Sequence, residues 1–195
     1  GALCQKPGLG GVMEKKYNIG YMGAHKAAGY PTGLQSGVKN GIQEQGHNLI
    51  NLSDMLPYKF IETSPYYFRA AFEIAARLNL DAYIVPTGVI NAYNVLNSRW
   101  SGAYLTKLLP KEKVLVLEDV IEGYRYVTKD SRTGMRQLMQ HLIEEHKYKR
   151  ICFLSGPETS YGAREREQVY FEEMEKHGLV VDDNMFFRGI YSGAM

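Results

Sequence analysis

Apolar positions along this chain switch repeatedly between a period of two and a period near four. Tyr17–Met22 (YNIGYM) is a short apolar run that reads as a first strand. Leu34, Val38 and Ile42 then recur every four positions, marking a helix over Leu34–Gln45 that Gly46 stops. His47–Leu52 reads as the second strand. Ser64-Pro65 opens the next helix, because serine can cap and proline at the first turn sacrifices no hydrogen bond. Phe68, Ala71, Phe72, Ala75 and Leu78 line one face of it. Asp81–Pro86 (DAYIVP) is a third strand, Ser101–Leu109 a third helix, and Lys113–Asp119 (KVLVLED) a fourth strand. Tyr124–Thr128 reads as briefly extended, and Met135, Leu138, Met139, Leu142 and Ile143 form a helical stripe. Arg150–Leu154 is a further strand, followed by a helix over Tyr161–His177 and a last strand near Met185–Ile190. Strands alternating with helices predict an α/β fold, a parallel sheet with helices on both faces.

Composition narrows the classes. Hydrophobic residues at 45% and charged residues at 23% suit a core-forming globular chain. A net charge of +2 is too small for a nucleic-acid footprint, and the densest basic patch, Lys147–Arg150, suits a helix C-terminus. No apolar run reaches the roughly 18 residues of a membrane span. Residues 1–12 lack the charged start and apolar core of a signal peptide and read as a leader or appended segment before Met13. The two cysteines are Cys4 and Cys152, and Cys152 falls inside a predicted buried strand. That argues against a disulfide and for a reducing compartment, with the cytoplasm as the expected location.

Enzyme signatures do not assemble. Gly33–Gly37 (GLQSG) lacks the central serine of a nucleophile elbow. Gly8–Gly11 precedes the first strand, where a dinucleotide fingerprint cannot lie. His141 and His146 are five apart, off one face of an α-helix, and no cysteine or carboxylate completes a zinc site. Met22–His25 supplies no acidic pair of the receiver type. Neither cofactor nor metal nor catalysis is expected. What remains is Ser155–Glu167 (SGPETSYGARERE), a loop between strand and helix, where α/β proteins hold small molecules. It lacks the lysine and glycine spacing of a P-loop, so a sugar-like or other small polar ligand fits better than a nucleotide phosphate. The helix N-terminus would also favour an anionic group.

Several stretches carry a family resemblance. Val127–Gly134 (VTKDSRTG), His141–Ile143 (HLI), Lys149–Pro157 (KRICFLSGP), Ala163–Arg166 (ARER), His177–Leu179 (HGL) and Arg188–Ser192 (RGIYS) together resemble the effector-binding domain of the lactose-repressor (LacI/GalR) family. Ile19–Met22, Gly37–Gly46 and Asp81–Pro86 extend the resemblance back to the first strand, so it covers Tyr17 to the C-terminus. It implies the type I periplasmic-binding-protein-like fold, two α/β lobes closing on a ligand. The N-terminal lobe would occupy residues 13–128, and residues 129–195 would begin a C-terminal lobe that is incomplete, because the family pattern continues further. Residues 1–16 are too few for the family's DNA-reading helix-turn-helix, so no direct nucleic-acid contact is expected from this chain. The SGPETSYGARERE stretch looks closest to sensor domains fused to a diguanylate cyclase.

The resemblance also implies a site. Arg166 matches the family arginine that forks onto ligand hydroxyls or carboxylates, though Glu165 and Glu167 beside it would equally suit a surface ion pair. Asp119 ends the fourth strand, where an acidic residue could accept sugar hydroxyls or cap a turn. Tyr30 could cover a sugar face or be an ordinary loop aromatic, one of 15 tyrosines. His25 and Asp130 are further candidates, Asp130 alternatively capping the Met135 helix. Ser160, or Ser155, could add a hydroxyl. The expected function is ligand sensing that controls a transcriptional or signalling output elsewhere. The alternatives are a ligand-free dimerisation scaffold and a flavodoxin-like enzyme. A homodimer is expected in the first two cases, because a partial lobe leaves apolar surface and a sheet edge to cover.

Overall fold

Seven short strands and the helices between them account for the described chain. The computed structural model describes residues 15–23, 30–52, 65–87, 105 and 107–189. Its elements run β1 (Asn18–Tyr21), α1 (Tyr30–Glu44), β2 (Asn48–Asn51), α2 (Pro65–Leu78), β3 (Ala82–Val85), β4 (Val114–Leu117) and β5 (Arg125–Val127). They continue with α3 (Ser131–Gln140), β6 (Phe153–Ser155), α4 (Tyr161–Lys176) and β7 (Phe186–Arg188). One sheet has the order β2-β1-β3-β4-β5 and a second pairs β6 with β7. Every pairing is parallel. Parallel neighbours cannot be joined by tight hairpins, so each connection must cross over, and the helical periods between the apolar runs supply the crossovers.

Each sheet has its own apolar cluster. Around the first, Met22, Leu52, Phe72, Ala75, Tyr83, Val85, Leu105, Val114 and Val116 are buried together. Gly20 in β1 permits this packing, since a Cβ there would meet Leu80 Cδ1 at 2.9 Å. Gly46, at φ +75, ends α1 in the left-handed conformation that glycine adopts without strain. Tyr83 places a polar group inside the cluster and satisfies it. Its hydroxyl accepts from the Leu80 N–H and donates to the Ala75 carbonyl, both at 2.9 Å.

The second cluster joins Met135, Met139 and Ile143 to Val169, Tyr170 and Met174 of α4. Polar contacts flank it. Arg132 donates twice to the Glu172 carboxylate, at 2.7 and 2.8 Å. Arg136 reaches both Glu172 and the buried Glu173 at 3.2 Å. Beyond Gln140 the hydrogen bonding loosens into a π-helical turn over His141–Glu145, closed by the His146 N–H on the His141 carbonyl at 3.2 Å. His177 ties this turn to α4, its Nδ1 on the Glu173 carbonyl at 2.8 Å and its Nε2 on Glu144 at 3.0 Å.

Several expectations are corrected. Leu78 and Leu138 lie outside their stripes, 47% and 51% exposed, because the buried rows run through Phe72–Ala75 and Met135–Met139–Ile143 instead. The predicted strand at Arg150–Leu154 begins only at Phe153, and Cys152 is an exposed free thiol rather than a buried strand residue. In this two-stranded sheet Phe153 and Phe186 turn toward α4, and the alternate positions Leu154 and Phe187 are 75% and 52% exposed. Strand β4 ends at Leu117, two residues before Asp119. Of the predicted third helix, Leu105, Lys107 and Leu108 are helical, and the rest lies outside the described residues, as does Ser64. Among the described residues no helix is long and apolar enough to cross a membrane.

Two outcomes follow from these contacts. Tyr83→Phe leaves the Leu80 N–H and Ala75 carbonyl unpaired in the core, so it should cost about 1–3 kcal/mol, read as a lower urea midpoint at unchanged slope. His177 donates from both ring nitrogens, and its bonds to the Glu173 carbonyl and then Glu144 raise its pKa. The charged form is therefore favoured by folding. Its contribution should be complete below the unfolded value of about 6.5 and fade as pH rises through the raised native value, a dependence that His177→Gln should flatten in thermal melts across pH.

Candidate functional site

In parallel sheets the C-terminal strand ends gather on one edge, and the polar residues of this chain collect there. Leu117 of β4 is followed by Glu118 in the left-handed region, φ 65. The Glu118 carboxylate meets Lys129 Nζ at 2.9 Å. That turn buries Asp119 to 7% exposure, with Oδ1 accepting the Val120 N–H at 2.8 Å. Asp119 thus closes its own turn with one oxygen.

The loop SGPETSYGARERE runs from the end of β6 into α4. Ser160 is the N-cap: its Oγ accepts the Ala163 N–H at 3.4 Å, while its carbonyl accepts the N–H groups of Ala163 and Arg164. Asp130 caps α3 in the same way, accepting the Thr133 N–H at 2.9 Å. That bond is the first cause holding the Asp130 carboxyl below its ordinary pKa. The two capped N-termini lie together. An added Cβ at Gly162 would stand 3.3 Å from Arg166 Nη1 and 3.4 Å from Ser131 Oγ. Arg166 is half-buried at this junction. Three of the expected residues, Arg166, Asp130 and Ser160, are therefore neighbours around two helix starts.

A second polar group was not foreseen from the sequence. Buried Ser155 donates to Glu167 at 3.4 Å, and Glu167 is also held by Arg188 at the end of β7, through Nε at 3.2 Å and a second, shorter bond from Nη2. The Glu167 bond raises the Arg188 pKa further. Glu167, Arg188, Glu158, Arg164, Gln168 and Phe171 line a surface hollow of about 250 Å³. Twenty-one positions separate Glu167 from Arg188, so only the β6–β7 register brings them together. Asp119 lies at the end of the first sheet, in a different element set from Arg166. Tyr30 opens α1 with its side chain outside the described atoms, and His25 lies outside the described residues.

No protein-family model matches the chain, and neither does any curated protein sequence. Solved structures do match. The transcription regulator CcpA of Lactococcus lactis superimposes with a TM-score of 0.67 at 16% identity, over 91% of this chain and 60% of that one. A periplasmic binding protein/LacI transcriptional regulator from Alkaliphilus metalliredigens, complexed with D-xylulofuranose, gives 0.65 at 14% identity, over 92% and 59%. A LacI family regulator from Lactobacillus casei with bound sucrose gives 0.60 at 16% identity, over 88% and 57%. The chain thus has the α/β fold of LacI-type regulators and periplasmic-binding-protein-like domains, and spans about six tenths of the length of each.

The caps give a direct check. Ser160→Ala should lower stability by about 1 kcal/mol in chemical denaturation. Asp130→Ala should also destabilise at neutral pH. The Asp130 pKa is lowered by folding, so its contribution is present above the unfolded value and lost as pH falls through the native one, and the two proteins should converge in acid.

Proposed function

We propose that this chain is a ligand-sensing regulatory domain, with residues 13–128 and 129–195 forming two lobes that hold a small polar, sugar-like molecule between them. The observation that carries the reading is Arg166, a half-buried guanidinium beside Ser131 where two capped helix N-termini meet. A planar fork of donors suits paired hydroxyls or a carboxylate, and helix N-termini add further N–H groups. In this reading Arg166 is the principal ligand residue, and Ser160 and Asp130 fix the two helix starts around it. Asp119 accepts hydroxyls from the first lobe, with Tyr30 and His25 as further contacts. Fold neighbours holding sucrose, glucose and D-xylulofuranose support a hydroxyl-rich ligand. Closure on the ligand would bias a transcriptional or signalling partner by population shift.

One observation favours a second reading, a dimerisation scaffold. Leu154 and Phe187 are paired in register and are 75% and 52% exposed, an apolar row that a second chain could cover.

The test is thermal unfolding against sugars, nucleosides and amino acids, with sedimentation at several concentrations. A ligand at 100 times its Kd should stabilise the protein by about 2.7 kcal/mol, and Arg166→Ala should abolish the shift. No shift with any compound, together with a concentration-dependent dimer, would replace the sensor with the scaffold.

A further inference from the structure

Five-residue spacing puts two side chains about 140° apart around an α-helix. That is why His141 and His146 look unrelated in the sequence. The π-helical turn over His141–Glu145 changes the geometry, because its hydrogen bond joins residues five apart and stacks their side chains on one side. His141 Nε2 and His146 Nε2 lie 3.0 Å apart, and the rings meet edge-on with centroids 4.6 Å apart. The other nitrogen of His141, Nδ1, lies 2.8 Å from Glu145 Oε2. A carboxylate accepts only, so Nδ1 carries the proton and the Nε2 lone pair faces His146. His146 is in turn stacked on Tyr148, 9° from parallel with centroids at 5.3 Å. Carboxylate, imidazole and ring stack thus set two imidazole nitrogens facing each other at the protein surface.

We propose that His141 and His146 form a surface binding site for a divalent transition-metal ion such as Zn²⁺. Two nitrogens on one tetrahedral ion, each at about 2.0–2.1 Å, stand about 3.3 Å apart, so the pair has to open by only a few tenths of an ångström. His141 is half exposed, which leaves room for that movement. Binding requires both Nε2 atoms free of protons. His141 already meets this, and His146 moves its proton from Nε2 to Nδ1. Glu145 fixes the His141 tautomer and strengthens the nitrogen as a donor, the part an outer carboxylate plays at histidine–metal sites. Among the described residues no group of three or more His, Cys, Asp or Glu side chains could hold a metal ion. The site therefore has two protein donors, with water in the remaining positions. Imidazole selects zinc, copper or nickel over magnesium or calcium. Glu144, the nearest further carboxylate in the turn, is engaged by His177 and stays outside the site.

The test titrates the protein with Zn²⁺ by calorimetry, alongside ring-nitrogen NMR of the histidines. One saturable site per chain is expected, with the His141 and His146 Nε2 resonances shifted and no heat from Mg²⁺. His141→Ala and His146→Ala should each abolish the site, and Glu145→Gln should weaken it roughly tenfold or more. Cys152→Ser and His177→Gln should leave it unchanged. Absence of saturable Zn²⁺ binding would overturn the proposal. So would binding that survives His141→Ala, or binding lost in Cys152→Ser while the two resonances stay still.

Discussion

Parallel strand pairing is the constraint on which the rest of this molecule depends. A parallel neighbour cannot be reached by a tight turn, so every strand must be followed by a return across a sheet face. The return commits the intervening sequence to an amphipathic helix, and the helix covers the sheet. The same rule points all strands one way and leaves their C-terminal ends on one edge. Asp119 behind β4, Ser155 behind β6 and Arg188 at the end of β7 share that kind of position without being near one another in sequence. The polar edge is a by-product of topology before it is anything else.

Packing alone does not align the two helices of the second unit. Met135, Met139 and Ile143 meet Val169, Tyr170 and Met174 through flexible or smoothly shaped side chains, which tolerate sliding. The carboxylates restrict that sliding. Glu173 is buried to 3% exposure yet faces Arg136, Lys176 and His177, so its charge is matched from three directions. Removing a single cation would leave the others in place, a redundancy that an isolated buried pair lacks.

The order and type of the elements were legible because each rests on local periodicity. Strands β1 to β5 and helices α1 to α4 fall where apolar spacing places them, within a residue or two at most ends; α1 instead begins four residues before its predicted start. What was illegible depends on partners far along the chain. Cys152 and Leu154 look as apolar as Ile151 and Phe153, and only the position of α4 decides which pair is covered. Asp130 and Ser160 were readable as caps, since capping is a three-residue pattern. The bond from Arg188 to Glu167 was not, because nothing local marks it. The meeting of Arg166 with Ser131 belongs to the same class, set by how two helix starts are brought together.

The widened turn after α3 also acts as a reading frame. An α-helix closes its bonds four residues back, and here one bond spans five, so the turn holds one residue more than regular winding would accommodate. Deleting any one residue between His141 and Glu145 would let regular winding resume. Everything downstream would then rotate by about 100° relative to α3. The Glu144 side chain would swing away from His177, and the left-handed Lys147 that ends the helix would fall at a different angle to β6. Single-residue deletions in this segment should therefore be tolerated far less well than substitutions at the same exposed positions.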